Sequence, residues 1–331
     1  MKRLAVLAII LLVSPFLPAD DEIPNHWQTV AERSGFRATS SYDETIAFLR
    51  QVQARAPHLI RVTDFGRSGQ GRPLPLVIVS SEGAFTPEAA AAVGKPVLLF
   101  QSCIHAGEVD GKVASLMILR DIALGRRPDL AEAATLLFAP IYNADGHERV
   151  SVFNRPNQNG PVEGTGYRTT ASGINLNRDF LRVASPEGRA MARLVSRWRP
   201  HLHVDNHVTN GSDHVWVLTW LVPEAPLLPP AIDAWVKGHL PPVIERTEAA
   251  GHPSGPYVSL VDGADPSRGM EWDMFEPRYS SNYFPLRNRV SILIEMHAHK
   301  PFRDRVLANR DFMAVQLFEP EAPDSLLRWG A

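Results

Sequence analysis

Three stretches of the 331-residue sequence are apolar at consecutive positions rather than alternate ones: "LPLVIVS" at 74–80, "KPVLLFQSC" at 95–103 and "TLLFAPIYN" at 135–143. A strand with one wet face alternates apolar and polar side chains, so runs like these predict strands covered on both faces. Between the last two lies "GKVASLMILRDIA" (111–123), which reads as a largely buried helix. Strand, helix, strand in that order implies an α/β fold built on a mainly parallel sheet.

Local signals agree with that class. Ser41-x-x-Glu44 has the capping-box pattern and opens a helix whose Ile46, Leu49 and Val52 share a face, ending before Pro57. Ser185-Pro186-Glu187 marks another helix start, with Met191, Leu194 and Trp198 on its inner side and Pro200 at its end. The 28 prolines are scattered, and no repeat or long linker divides the chain, so a single domain is expected. Lys plus Arg number 34 against 36 for Asp plus Glu; a net charge of -2 offers no electrostatic case for nucleic acid or an anionic membrane. Function has to come from a site.

At the N-terminus Lys2 and Arg3 precede apolar residues 4–17 and then "PADDE", the order of a secretory signal peptide. The apolar stretch is shorter than the ~20 residues of a spanning helix. We therefore expect a signal peptide over 1–19, cleaved near Ala19, one domain over 20–331 with no propeptide between them, and a secreted or periplasmic protein with no membrane attachment after cleavage. Cys103 is the single cysteine. An exported chain of this kind has no internal disulfide, and any metal it holds must use His, Asp and Glu.

In open α/β sheets, sites gather at the carboxyl ends of strands. His105 and Glu108 follow the second apolar run; Asn143, Asp145 and His147 follow the third; "HLHVDNHV" (201–208) is a further candidate strand. Alternation in that strand puts His201, His203, Asp205 and His207 on one face. A hydrolytic zinc takes three imidazole or carboxylate ligands and leaves a fourth position for water. His105, Glu108 and one histidine of 201–207 would satisfy it. In "RVSILIEMHAHK" (289–300), Glu295 directly follows an apolar strand-like run. It is either a solvated strand end or a carboxylate held in a cleft, where it could serve as a general base.

Taken in order, His105-Ala106-Gly107-Glu108, Asn143-Ala144-Asp145-Gly146, Asn175-Leu176-Asn177-Arg178, Asp205-Asn206-His207 and Leu293-Ile294-Glu295 resemble the landmarks of the zinc metallocarboxypeptidases, the carboxypeptidase A-like family. Each motif is short; their shared order, from about Tyr42 through "KPFRDRV" (300–306), carries the resemblance. It implies a single catalytic domain with a central mixed, mainly parallel eight-stranded sheet flanked by helices. It implies one zinc ion on His105, Glu108 and His207, choosing His207 because that residue closes the Asp-x-His pattern. Glu295 becomes the general base, and Arg155 the arginine that stabilises the oxyanion. Asn177 and Arg178 become holders of the substrate's free C-terminal carboxylate, for which a guanidinium is suited. The implied function is removal of a C-terminal residue from a peptide by a monomeric hydrolase.

Three positions depart from the pattern. Asn175 stands where an aspartate often orients the first histidine ligand, a weaker polarising partner. The substrate-capping tyrosine is Tyr279 or Tyr283, with Tyr279 preferred. Nothing between about Trp216 and Met270 aligns with a specificity pocket. His147 reads as a loop residue after an Asp-Gly turn, Cys103 as a packed bystander, and His297 and His299 as cleft-lining or solvent-facing. A deacylase of N-acyl amino acids on the same scaffold, or a non-catalytic peptide-binding protein, are the alternatives.

Overall fold

The computed structural model of the chain describes residues 23–223, 228–271 and 276–315. The expected signal peptide over 1–19 lies outside them. Capping boxes at Thr29 and Ser41 open α1 (Val30–Arg33) and α2 (Tyr42–Arg55); at the second, the Glu44 carboxylate accepts from the Ser41 backbone N–H at 2.9 Å. β1 (Ile60–Arg67) and β2 (Pro73–Val79) pair antiparallel. Then come α3 (Pro87–Val93), β3 (Val97–Gln101), α4 (Asp110–Ala123), α5 (Pro128–Ala133), β4 (Thr135–Ala139) and the short α6 (Ala144–His147). They are followed by α7 (Pro186–Trp198), β5 (Leu202–Val208), β6 (Leu218–Leu221), α8 (Pro230–Ala249) and β7 (Ser254–Pro256). A two-stranded ribbon, β8 (Ser259–Leu260) with β9 (Met270–Glu271), precedes α9 (Ser280–Tyr283), β10 (Val290–Met296) and α10 (Phe302–Val315).

Eight strands form one mixed sheet in the order β1-β2-β4-β3-β5-β10-β6-β7. Its centre, β4-β3-β5-β10, is parallel throughout, while β1, β2 and β6 join antiparallel. Apolar side chains leave the central strands on both sides. Leu98, Phe100, Leu136, Phe138 and Val204 meet Leu49 of α2, Ile118 of α4, Trp235 of α8 and Phe312 of α10. Leu76, Ile78, Leu99 and Leu137 meet Met191, Leu194 and Val195 of α7 and Phe284 beyond α9. Burying each such side chain contributes about 1.5–3 kcal/mol, which is why these strands read as unbroken apolar runs. α4 is buried along its whole length, and a Cβ at Gly111 would come within 2.4 Å of the Asn206 Cβ, so the small residue lets α4 lie close on β5.

Two of the apolar runs outlast their strands. β3 stops at Gln101 and β4 at Ala139, and the chain then turns across the carboxyl end of the sheet; Cys103 takes a left-handed φ of 55° to do so. From β3 the chain moves to β4 on one side and later to β5 on the other, so the order reverses between β3 and β5. Such a reversal opens a crevice at the carboxyl ends. Among the described residues, no helix is long and apolar enough to cross a membrane.

Candidate active site

Beyond β3, the Glu108 backbone N–H donates to the His105 carbonyl at 3.0 Å and closes a turn over "HAGE". That turn is how a two-residue spacer brings an imidazole and a carboxylate onto one point. Gly107 has no room for a side chain: a Cβ there would lie 2.7 Å from Arg155 Cδ and 2.8 Å from the Gly166 carbonyl. From the end of the neighbouring strand, β5, His207 reaches the same point. One ligand atom each from His105, Glu108 and His207 lies within 4.8 Å of the others, and all three residues are buried.

The hydrogen positions implied by the surroundings test whether a cation fits. His105 Nε2 lies 3.2 Å from Asn175 Oδ1, an oxygen that already accepts the Asn177 backbone N–H at 3.0 Å. His207 Nε2 lies 2.8 Å from Asp205 Oδ2. Facing acceptors, both Nε2 atoms carry hydrogen, which leaves the lone pairs of neutral rings on Nδ1. Those Nδ1 atoms face Glu108 Oε1 at 3.0 Å and Oε2 at 2.9 Å. Lone pairs meeting lone pairs in a buried place call for a proton or a metal cation between them, and two imidazoles with a carboxylate are a zinc donor set.

The two imidazoles are not equivalent. Burial pushes His105 down to about 4 against the pull of Glu108. Burial also opposes charge on His207, but Asp205 and Glu108 outweigh it and hold this histidine well above its usual value. Asp205 is buried too, yet its contact with His207 and a hydrogen bond from Ser280 bring its carboxyl down to about 2. Gln101 Nε2 completes its partners, donating at 2.7 Å.

Glu295 sits inside β10 rather than after it, and parallel pairing sets it directly beside His207. It is 8% exposed, and its Oε2 is buried without a hydrogen-bond partner. Burial pushes its carboxyl up to about 8. A carboxyl placed so is a group that can take and release a proton.

Arg155 and Arg168 both turn toward Glu108, differently. Arg155 Nη1 donates to Glu108 Oε1 at 2.7 Å, and its Nη2 donates to the Val208 and Thr209 carbonyls, each at 2.9 Å. Its side chain is 14% exposed, against 38% for Arg168, whose Nη1 lies 3.3 Å from the same oxygen. Arg155 is therefore tied to Glu108 and two backbone carbonyls, and Arg168 is the more exposed of the two guanidiniums. Sequence reasoning missed Arg168, which lies in "GYRTT" with no motif around it.

The remaining candidates also converge. Asn177 is buried; its Oδ1 accepts from the Ser280 backbone N–H at 2.9 Å, and Ser280 Oγ donates to Asp205 Oδ2. These bonds fix the start of α9 beside Asp205, the partner of His207, and with it Tyr279, whose ring centroid is 4.3 Å from the Arg178 guanidinium carbon. Tyr283 instead packs inward against Phe180 and Phe284.

Other polar residues go elsewhere. His203 stacks on Phe284 at 3.8 Å, and His201 lies outside β5, accepting from the Val97 backbone N–H. His147 ends α6 and is buried against Lys112 rather than lying in a loop. Cys103 is buried, with its thiol pushed up to about 12 by desolvation. His297 is buried, with its ring against those of His214 and the exposed His299.

Residues 45–209 match the zinc carboxypeptidase family, and five ordered motifs and the mixed eight-stranded sheet agree with that match. The chain belongs to the zinc carboxypeptidases. Among curated relatives, carboxypeptidase 2 of Trichophyton rubrum is 27% identical over 169 residues, covering 50% of this chain and 28% of that protein. Carboxypeptidase D of Drosophila melanogaster is 31% identical over 159 residues, covering 46% of this chain and 10% of that protein. The matched region thus spans less than a third of either relative's length. The solved carboxypeptidase A of Helicoverpa armigera superposes with a TM-score of 0.62 at 15% identity, over 88% of this chain and 75% of that one, a likeness of fold.

Proposed function

We propose that this chain is an exported, zinc-dependent carboxypeptidase that hydrolyses the C-terminal peptide bond of peptides. The observation that carries the reading is Glu295: a buried carboxyl with an unpartnered Oε2, one strand away from His207, has no evident structural task and suits a general base. His105, Glu108 and His207 would hold one zinc ion, which when bound polarises the scissile carbonyl and lowers the pKa of a water to about 7.

The chain's own groups account for the rest. Glu295 takes the proton of the attacking water at its carboxylate and hands it to the leaving amine. Arg155 keeps Glu108 oriented, and the more exposed Arg168 replaces it as the group that stabilises the developing oxyanion. Arg178, stacked on Tyr279, binds the free C-terminal carboxylate, while Asn177 fixes the Tyr279 segment. The signal peptide over 1–19, a catalytic domain over 20–331, a monomeric state and periplasmic or secreted peptides as substrates belong to the same proposal.

Metal analysis of the purified protein with a screen for release of C-terminal residues tests it. One equivalent of zinc and turnover on peptides with a free C-terminus are expected. Glu295→Gln should keep the zinc and lose activity by about 10²–10⁴-fold. Arg178→Ala should lose activity selectively on peptides with a free C-terminal carboxylate; an equal loss on amidated peptides favours the deacylase. A zinc-loaded protein that turns over neither peptides nor acyl amino acids would sink the enzyme reading.

A further inference from the structure

Binding a C-terminal carboxylate needs one guanidinium, and the structure gathers more than one around Tyr279. The guanidinium carbons of Arg178 and Arg278 both lie near its ring centroid, at 4.3 and 5.1 Å, and Arg278 Nη2 lies 3.3 Å from the phenol oxygen. The segment is anchored through Ser280 to Asn177 and to Asp205, the partner of His207, which ties the stretch that carries Arg278 to the candidate site. Repulsion from Arg168 and Arg278 adds to burial in lowering the Arg178 pKa, which places three guanidiniums in one electrostatic neighbourhood.

The carboxylate that faces Arg278 is Glu276, and both side chains of that pair are about half exposed, 45% and 55%. An ion pair this exposed to water contributes little, so a substrate carboxylate already oriented by Arg178 can displace Glu276. The contact between Arg278 and Glu276 also shows that the guanidinium can hold a carboxylate beside the tyrosine. A residue that presents two carboxylates on one short frame, an α-carboxylate and one on its side chain, matches two guanidiniums set around a single ring.

We propose that Arg278 is a specificity-determining residue that recognises a side-chain carboxylate on the departing residue, so that preferred substrates end in glutamate or aspartate. The inference rests on the carboxypeptidase reading.

The test is a set of N-acylated dipeptides that differ only at the C-terminal residue, Glu, Gln, Asp, Asn, Leu and Lys, hydrolysed by the zinc-loaded full chain. The readout is the ratio of kcat/KM for each acid over its isosteric amide. Wild type should favour the acids by about fivefold or more, Arg278→Ala should bring the ratio close to one, and Arg278→Glu should move the preference toward Lys. Hydrolysis of the Leu and amide peptides with no preference for the acids, or a preference that survives Arg278→Ala, overturns the role of Arg278 and leaves the carboxypeptidase reading standing. No hydrolysis of any member overturns both.

Discussion

Two buried histidine clusters lie at either end of the stretch from Glu108 to Lys112, and they have opposite characters. In one, Lys112 Nζ donates to the Ser40 carbonyl and lies 2.9 Å from His147 Nε2, while His147 Nδ1 lies 2.7 Å from Glu148 Oε1, which also accepts the Tyr42 backbone N–H. Each donor there meets an acceptor. In the other, His105, His207 and Glu108 turn acceptors toward one another, and Glu295 Oε2 has no partner. Both set buried imidazole beside a glutamate. What separates a structural knot from a site is whether its hydrogens and lone pairs balance, because an unbalanced buried group costs free energy until a ligand compensates it.

The largest expected difference comes from cutting each cluster at its centre. Glu108→Gln should weaken zinc binding by more than the roughly 10–100-fold cost of losing an outer partner. Lys112→Met should leave zinc stoichiometry at one and lower the thermal midpoint. A lysine variant that loses zinc would break the comparison. Next in size, Asp205→Asn should weaken zinc binding about 10–100-fold by removing the carboxylate behind His207.

Asn175→Asp should strengthen zinc binding severalfold by giving His105 the same kind of partner, measured by competition with a chelator. If the two substitutions shift affinity in the same direction, the contrast between the histidines is wrong.

The smallest effect is on the structural side. Burial, reinforced by the Lys112 charge, pushes His147 down to about 4. An unfolded histidine titrates near ~6.5. Between those values the unfolded chain holds more protons than the folded one, so the contribution of neutral His147 is present above this window and is lost as the pH falls through it. Urea midpoints of the zinc-free protein at two pH values spanning that window should differ more for wild type than for His147→Gln; equal slopes would count against it.

Much of the fold was legible because its evidence is local and repeated. Continuous apolar runs mark strands covered on both faces, and Ser41 and Ser185 mark helix starts with caps that the structure retains. The site was legible as a set of residues in order, from His105 to Glu295, but the partners were not. Arg168, Ser280, Gln101 and Arg278 carry no signature in sequence, since what they do depends on a neighbour that arrives from another strand or loop. The same holds for the faces of β5: alternation grouped His203 with His207, yet one packs on a phenyl ring and the other turns to Glu108.

By itself the sequence determined the α/β class, the order of the motifs and, with Cys103 its single cysteine, that no internal disulfide can form, because periodicity and composition are read a few residues at a time. Only the tertiary structure decided which arginine is held tightly on Glu108 and which stays more exposed, and that Asn175 and Asp205 stand behind different imidazoles. Hydrogen-bond direction and burial are set by groups far apart along the chain, and they exist only once β3, β5 and β10 lie side by side.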